Sequence, residues 1–140
     1  MAAAHAIDLL KNIVVGTATT GLYDANGNKL SSIDITTQSG LYGYSQTYEL
    51  SPKSIEHVLT AICEGCTMDV LLQISPDGKN WTDCTLSTGA VCEFLPCSAA
   101  AGDCDVKHID VPMLQFLRVR IGNAGAVGGV CTIKINFTLN

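Results

Sequence analysis

Hydrophobic and polar positions alternate with a period of two through much of the chain, the pattern of strands with one buried face. The pattern is clearest near the C-terminus. Val130 to Leu139 sets Cys131, Ile133, Ile135, Phe137 and Leu139 on one face, against Thr132, Lys134, Asn136 and Thr138. Phe116 to Ile121 sets Leu117, Val119 and Ile121 inward and Arg118 and Arg120 outward. Thr67 to Ser75 places Met68, Val70, Leu72 and Ile74 on one face and Asp69 and Gln73 on the other. Weaker signals predict strands over Tyr44–Leu50, Glu56–Cys63, Trp81–Leu86, Ala90–Leu95 and Val106–Val111, with faint strand character over Ser31–Gln38.

Turn chemistry separates these runs. In Ser75-Pro76-Asp77-Gly78-Lys79-Asn80-Trp81, proline presets φ, the aspartate side chain bonds its own backbone, and glycine takes φ > 0. A hairpin with a large aromatic at its return is the expectation. Asp24-Ala25-Asn26-Gly27-Asn28 predicts a second hairpin, and the glycine-rich stretch from Gly122 to Gly129 a hairpin loop. At the N-terminus, Ala2–Lys11 reads as a short helix, with Ala3, Ile7 and Leu10 along one side. Asn12–Thr20, rich in Val and Thr, reads as extended. Residues 1–22 carry only Asp8 and Lys11 as charges and are expected to form an extended N-terminal arm, which completes the sheet or reaches a neighbouring subunit. Residues 23–140 form the folded domain. About eight to ten short strands at turn-punctuated spacing imply an all-β antiparallel β-sandwich, jelly-roll-like.

The 140 residues suit one domain, and the net charge of −5 excludes some partners. The eight Lys and Arg residues form no run, so the chain lacks the concentrated basic surface that nucleic acid requires. Arg118 and Arg120 are read as a solvated face rather than an anion site. Uncharged stretches such as 35–48 and 121–133 are too short for a membrane helix. The N-terminus lacks the positive region of a signal peptide, so synthesis in the cytosol is expected. Seven cysteines sit oddly with that. Cys63, Cys66, Cys84, Cys92, Cys97 and Cys104 are candidate disulfide cysteines with partners undetermined by sequence, whereas Cys131 reads as a small core residue. A protein assembled in a cell and later released by lysis would meet both redox conditions.

No grouping points to catalysis, and no enzyme is expected. His5, His57 and His108 have unrelated contexts, and the Cys63-Glu-Gly-Cys66 spacing has no second pair to complete a zinc site. Asp24, Asn26 and Asn28 mimic the start of a calcium loop but lack its closing glutamate. No cofactor or metal is expected.

Two segments together resemble small β-sandwich accessory proteins of tailed-bacteriophage virions. One is Val70-Leu-Leu-Gln-Ile-Ser-Pro-Asp-Gly-Lys-Asn-Trp-Thr-Asp83, carrying a Ser-x-Asp-Gly-x-x-Trp hairpin. The other is Leu117-Arg-Val-Arg-Ile-Gly-Asn-Ala-Gly125, followed by the closing strand. The resemblance spans Ser54 to Asn140; the cysteine load and the uncharged N-terminal segment depart from it. It implies a capsid decoration (cement) protein on the outer capsid surface of a virion. Such a protein binds the major capsid protein and forms a homo-oligomer, a trimer favoured. Discoidin-like carbohydrate-binding domains carry a similar hairpin. The alternative readings are therefore a carbohydrate-binding module, with Tyr42, Tyr44, Tyr48 or Trp81 as a stacking platform, and a tail or head-fibre accessory protein. Trp81 is expected to plug the core at the hairpin return.

Overall fold

A computed structural model describes residues 3–36, 42–50, 54–98, 104–111, 115–125 and 128–139. Its strands are β1 (Ala3–Val14), β2 (Tyr42–Tyr44), β3 (Tyr48–Glu49), β4 (Ser54–Glu64) and β5 (Thr67–Ser75). Past the Pro76-Asp77-Gly78 turn come β6 (Thr82–Asp83), β7 (Glu93–Ser98), β8 (Asp105–Ile109), β9 (Phe116–Gly122) and β10 (Val130–Leu139). One sheet has the order β1-β10-β4-β8. The other runs β2-β9-β5-β6, with β3 also on β9 and β7 also on β5.

Every pairing is antiparallel, and together they follow one rule. β1 pairs β10, β2 and β3 pair β9, β4 pairs β8, and β5 pairs β6 and β7, so the first half of the chain meets the second half in reverse order. The chain is one long hairpin whose tip is the turn after β5. Rolling it brings β10 onto β4 and β9 onto β5. That is jelly-roll connectivity, and the two sheets make a β-sandwich.

The core follows the sequence alternation. Leu59, Ala61 and Cys63 of β4, Met68, Val70 and Leu72 of β5, and Leu117, Val119 and Ile121 of β9 are fully buried. So are Cys131, Ile133 and Ile135 of β10. Full burial of one such large aliphatic side chain contributes about 1.5–3 kcal/mol. Cys63, Cys66, Cys84, Cys92 and Cys131 all lie in this core, acting as small apolar filler between larger side chains.

Two expectations need correction. The helix over Ala2–Lys11 does not form: residues 3–14 are the edge strand β1, paired with β10 from Ala3↔Leu139 to Val14↔Val130. Register shifts at Asp8/Leu10 and Leu10/Ile13, with Asn12 at φ 53°, reset the phase of the strand. Leu9 and Leu10 are consequently both buried, and Ile7, Leu10 and Ile13 recur every third residue as they would on a helix. Bulges, rather than a helical period, account for that spacing. Secondly, the Gly122–Gly129 connection is not a hairpin loop, because β9 and β10 belong to different sheets. Of the two courses open to the N-terminal segment, the described residues complete the sheet: β1 pairs β10, and Val15, Thr19 and Leu22 beyond it are buried in the sandwich.

His57 on β4 is 3% exposed, lies opposite Phe137 and Ile109 in register, and its Nε2 has no hydrogen-bond partner. Burial lowers its pKa below the ordinary 6.5. The folded state therefore resists a proton that the unfolded chain accepts. Stability should be fully present above about pH 6.5 and be lost as pH falls through the depressed folded-state value. Asp24, Asp77 and Asp110 are all lowered from 3.8, so their acid losses begin in a separate, lower range. Urea midpoints measured from pH 8 to 4.5 should fall for the wild type and stay nearly flat for His57→Gln. Parallel curves would contradict this assignment.

Candidate functional site

The Arg118 guanidinium is the most unusual polar group of the fold. Strand alternation on β9 sends Leu117, Val119 and Ile121 into the core and Arg118 and Arg120 to the outer face. The outer position of Arg118 is nevertheless only 6% exposed. The Tyr44 ring of β2 and the Trp81 ring, at the end of the β5–β6 turn just before β6, flank β9. Each lies 4.3 Å, ring centroid to Cζ, from the Arg118 guanidinium. Nε of Arg118 donates to Gln73 Oε1 on β5 at 2.9 Å, and Nη1 donates to the Ala25 carbonyl at 2.9 Å. Arg120 repeats the theme, 4.0 Å from the Tyr42 ring centroid. Tyr44 stands opposite Arg120 in register and Tyr42 opposite Gly122, so Tyr42-x-Tyr44 and Arg118-x-Arg120 stack diagonally as a cation–aromatic ladder.

Two turns build the rim. Tyr23 bridges Tyr44, which lays the 24–28 turn over the outer face and brings the Ala25 carbonyl to Arg118. Asp24 Oδ1 accepts from the amides of Asn26 and Asn28 at 2.9 and 2.8 Å. These bonds, the Asn28 amide foremost, hold its carboxyl below the ordinary value, so this is a closed Asx turn rather than a calcium loop. In the second turn, Ser75 Oγ accepts from the Asp77 and Gly78 amides, and Asp77 Oδ1 accepts from the Lys79 and Asn80 amides at 2.8 Å each. Gly78 takes φ 77°, as the turn requires. The Asn80 and Lys79 amides hold the Asp77 carboxyl far below the usual range.

Between the turns lies a recess of about 240 Å³, lined by Ala25, Asn26, Gly27, Thr47, Gly78, Lys79, Trp81 and Arg118. Among the described residues the only ion pair is Lys134 with Asp8, at 3.6 Å. Among the described residues, then, no carboxylate pairs with Arg118 or Lys79. Burial lowers the Arg118 pKa, the Tyr44 phenol opposing, as for a cation taken from water without a matching anion.

Arg118 is thus not part of a solvated face, and Trp81 is not a core plug; it is half-buried on the outer surface against a guanidinium. Of the proposed aromatic platform, Tyr42, Tyr44 and Trp81 gather here, each against an arginine, while Tyr48 packs on the core.

The cysteines sort differently. Cys63 and Cys66 are buried neighbours at the β4–β5 connection. Burial, then the Cys63 thiol, pushes Cys66 up to about 11, and it donates weakly to the Val130 carbonyl. Such a thiol is inert at neutral pH. Cys84 and Cys92 are fully buried and face each other across a short loop, where the Cys92 amide donates to the Cys84 carbonyl at 2.7 Å. A thiol–thiol hydrogen bond lowers Cys84 and, with burial, raises Cys92. Cys104 is exposed, and the side chain of Cys97 lies outside the described ones. Among the described residues no cluster of His, Cys, Asp or Glu is arranged for a metal. Under oxidised glutathione, Cys84 and Cys92 should join first. Their thiols lose two protons and two electrons as the glutathione disulfide is reduced. The bridge should add about 2–4 kcal/mol. Peptide mapping by mass spectrometry with a thermal melt checks it; a first crosslink between other cysteines contradicts it.

No protein-family profile matches the chain, and no curated protein sequence matches it. Among the described residues no helix is long and apolar enough to cross a membrane.

Proposed function

We propose that the chain is a structural protein of a tailed-bacteriophage particle, a decoration protein that docks on the major capsid lattice from outside. One observation supports this most. Trp81 of the Ser-x-Asp-Gly-x-x-Trp hairpin stacks on Arg118 of the Leu-Arg-Val-Arg strand. The two motifs that carry the resemblance are therefore one physical unit. That unit concentrates Trp, Tyr and Arg, the residue types that dominate binding energy at protein interfaces. A wrapped β-sandwich holds it rigidly, as a lattice clamp requires. The reading assigns the chain no catalysis and a symmetric oligomer, a trimer favoured, on the shell.

The alternative, a carbohydrate-binding module, draws on the Trp81-lined recess with its polar neighbours Asn26, Thr47 and Lys79. Against it, Tyr42, Tyr44 and Trp81 each already stack on a guanidinium, which leaves less aromatic surface for a sugar. Quantitative mass spectrometry of purified particles discriminates the two. A fixed ratio of this chain to the major shell protein is expected. Absence from particles, with binding to a polysaccharide column as a monomer, would overturn the decoration reading.

A further inference from the structure

We propose that the recess between the 24–28 and 75–80 turns is a receptor for a single carboxylate, supplied by an Asp or Glu side chain of the protein on which the chain docks. The partner's identity rests on the docking role proposed above; the anion site itself does not.

The argument begins with charge. A buried cation is costly unless paired, and a guanidinium is satisfied best by the two parallel hydrogen bonds of a carboxylate. Arg118 has five N–H donors, of which Gln73 and Ala25 take two. Its guanidinium lines the recess with donors to spare, and Tyr44, Trp81 and those two acceptors fix its plane. Lys79 adds a second cation at the mouth. The two carboxylates of the surrounding turns, Asp24 and Asp77, pair with neither cation: they line no part of the recess and accept instead from the backbone and side-chain amides of their own turns. A chain with a net charge of −5 therefore presents two cations at one preorganised recess, with no carboxylate of the described residues paired to either.

Size and shape select the ligand. About 240 Å³ holds one side chain, not an extended chain. The guanidinium fork matches a carboxylate bidentately, and the Trp81 ring offers an apolar wall for side-chain methylenes, which an inorganic anion lacks. An arginine held between aromatics is also a usual composition of an interface hot spot.

The test is an NMR titration of the ¹⁵N-labelled full chain. The probe is N-acetyl-glutamate amide, with N-acetyl-glutamine amide, inorganic phosphate and sodium chloride at matched ionic strength as comparisons. Saturable shifts are expected at Arg118 Nε–H, the Trp81 indole N–H and the Gly27 and Gly78 amides. The glutamine and chloride arms should leave them in place. Lys79 is exposed, so Lys79→Glu should keep the fold and weaken binding of the glutamate probe at least ~10-fold. No shift at Arg118, equal shifts with the glutamine probe, or tighter binding of phosphate would overturn the carboxylate assignment. A second arm loads the wild type and Lys79→Glu onto particles lacking the chain. Reduced loading of Lys79→Glu supports the partner assignment. Equal loading overturns it while leaving the decoration reading in place. Failure of the wild type to load, with the glutamate probe bound, instead removes the decoration reading and spares the anion site.

Discussion

Deletion of residues 1–22 is expected to abolish cooperative folding. The deleted segment is the whole of β1, which pairs β10 along its length, together with the chain that follows it. It contributes Leu9, Leu10, Val15 and Leu22 to the core, none more than 4% exposed. At about 1.5–3 kcal/mol each, their loss approaches or exceeds the roughly 5–15 kcal/mol by which a typical domain is stable. It also uncovers the apolar β10 as a raw sheet edge, an invitation to aggregate. Urea titration followed by circular dichroism should show no cooperative transition. A truncated chain that melts cooperatively would contradict the placement of β1. A detachable arm would have allowed the truncated sandwich to fold and lose only its partner; the strand pairing predicts the opposite.

Gly129→Ala should cost about 3 kcal/mol or more. Gly129 sits where the chain passes into β10, and a Cβ there would lie 2.6 Å from Cys66 Cβ and 2.7 Å from the Glu64 carbonyl oxygen and the Gly65 carbonyl carbon. Two of those atoms are backbone at the β4–β5 crossover and cannot rotate away. The Gly129 carbonyl also accepts from the Val15 amide at 2.8 Å, so relief by backbone movement would break the junction between β1 and β10. A urea midpoint close to wild type would mean that these segments pack more loosely than the structure has them.

The parts of the fold legible in the sequence are those where each residue keeps one face. β5, β9 and β10 alternate cleanly, and their inward residues are the buried ones. β1 was illegible because its bulges reset the phase, so three-residue spacing imitated a helix. Leu71 is buried although it faces away from Met68, Val70 and Leu72; it stands between Glu93 of β7 and Arg120 of β9 in register. Strand alternation reports which way a side chain points, but not what lies over it. Arg118 escapes the alternation for the same reason: its cover comes from Tyr44 and Trp81, far away in sequence. One signal was present. Tyr42-x-Tyr44 and Arg118-x-Arg120 share a two-residue spacing, as paired strands would need for stacking. The closing of the Asp77 turn, by contrast, was readable from Pro-Asp-Gly alone.

Electron cryomicroscopy of the purified particle tests most directly the proposed docking of the Trp81–Arg118 face on the shell. The predicted map places the sandwich on the outer surface with the two turns against the major shell protein and a shell carboxylate within hydrogen-bond distance of Arg118. A map in which that face is turned to solvent, while another part of the sandwich makes the contact, would contradict it.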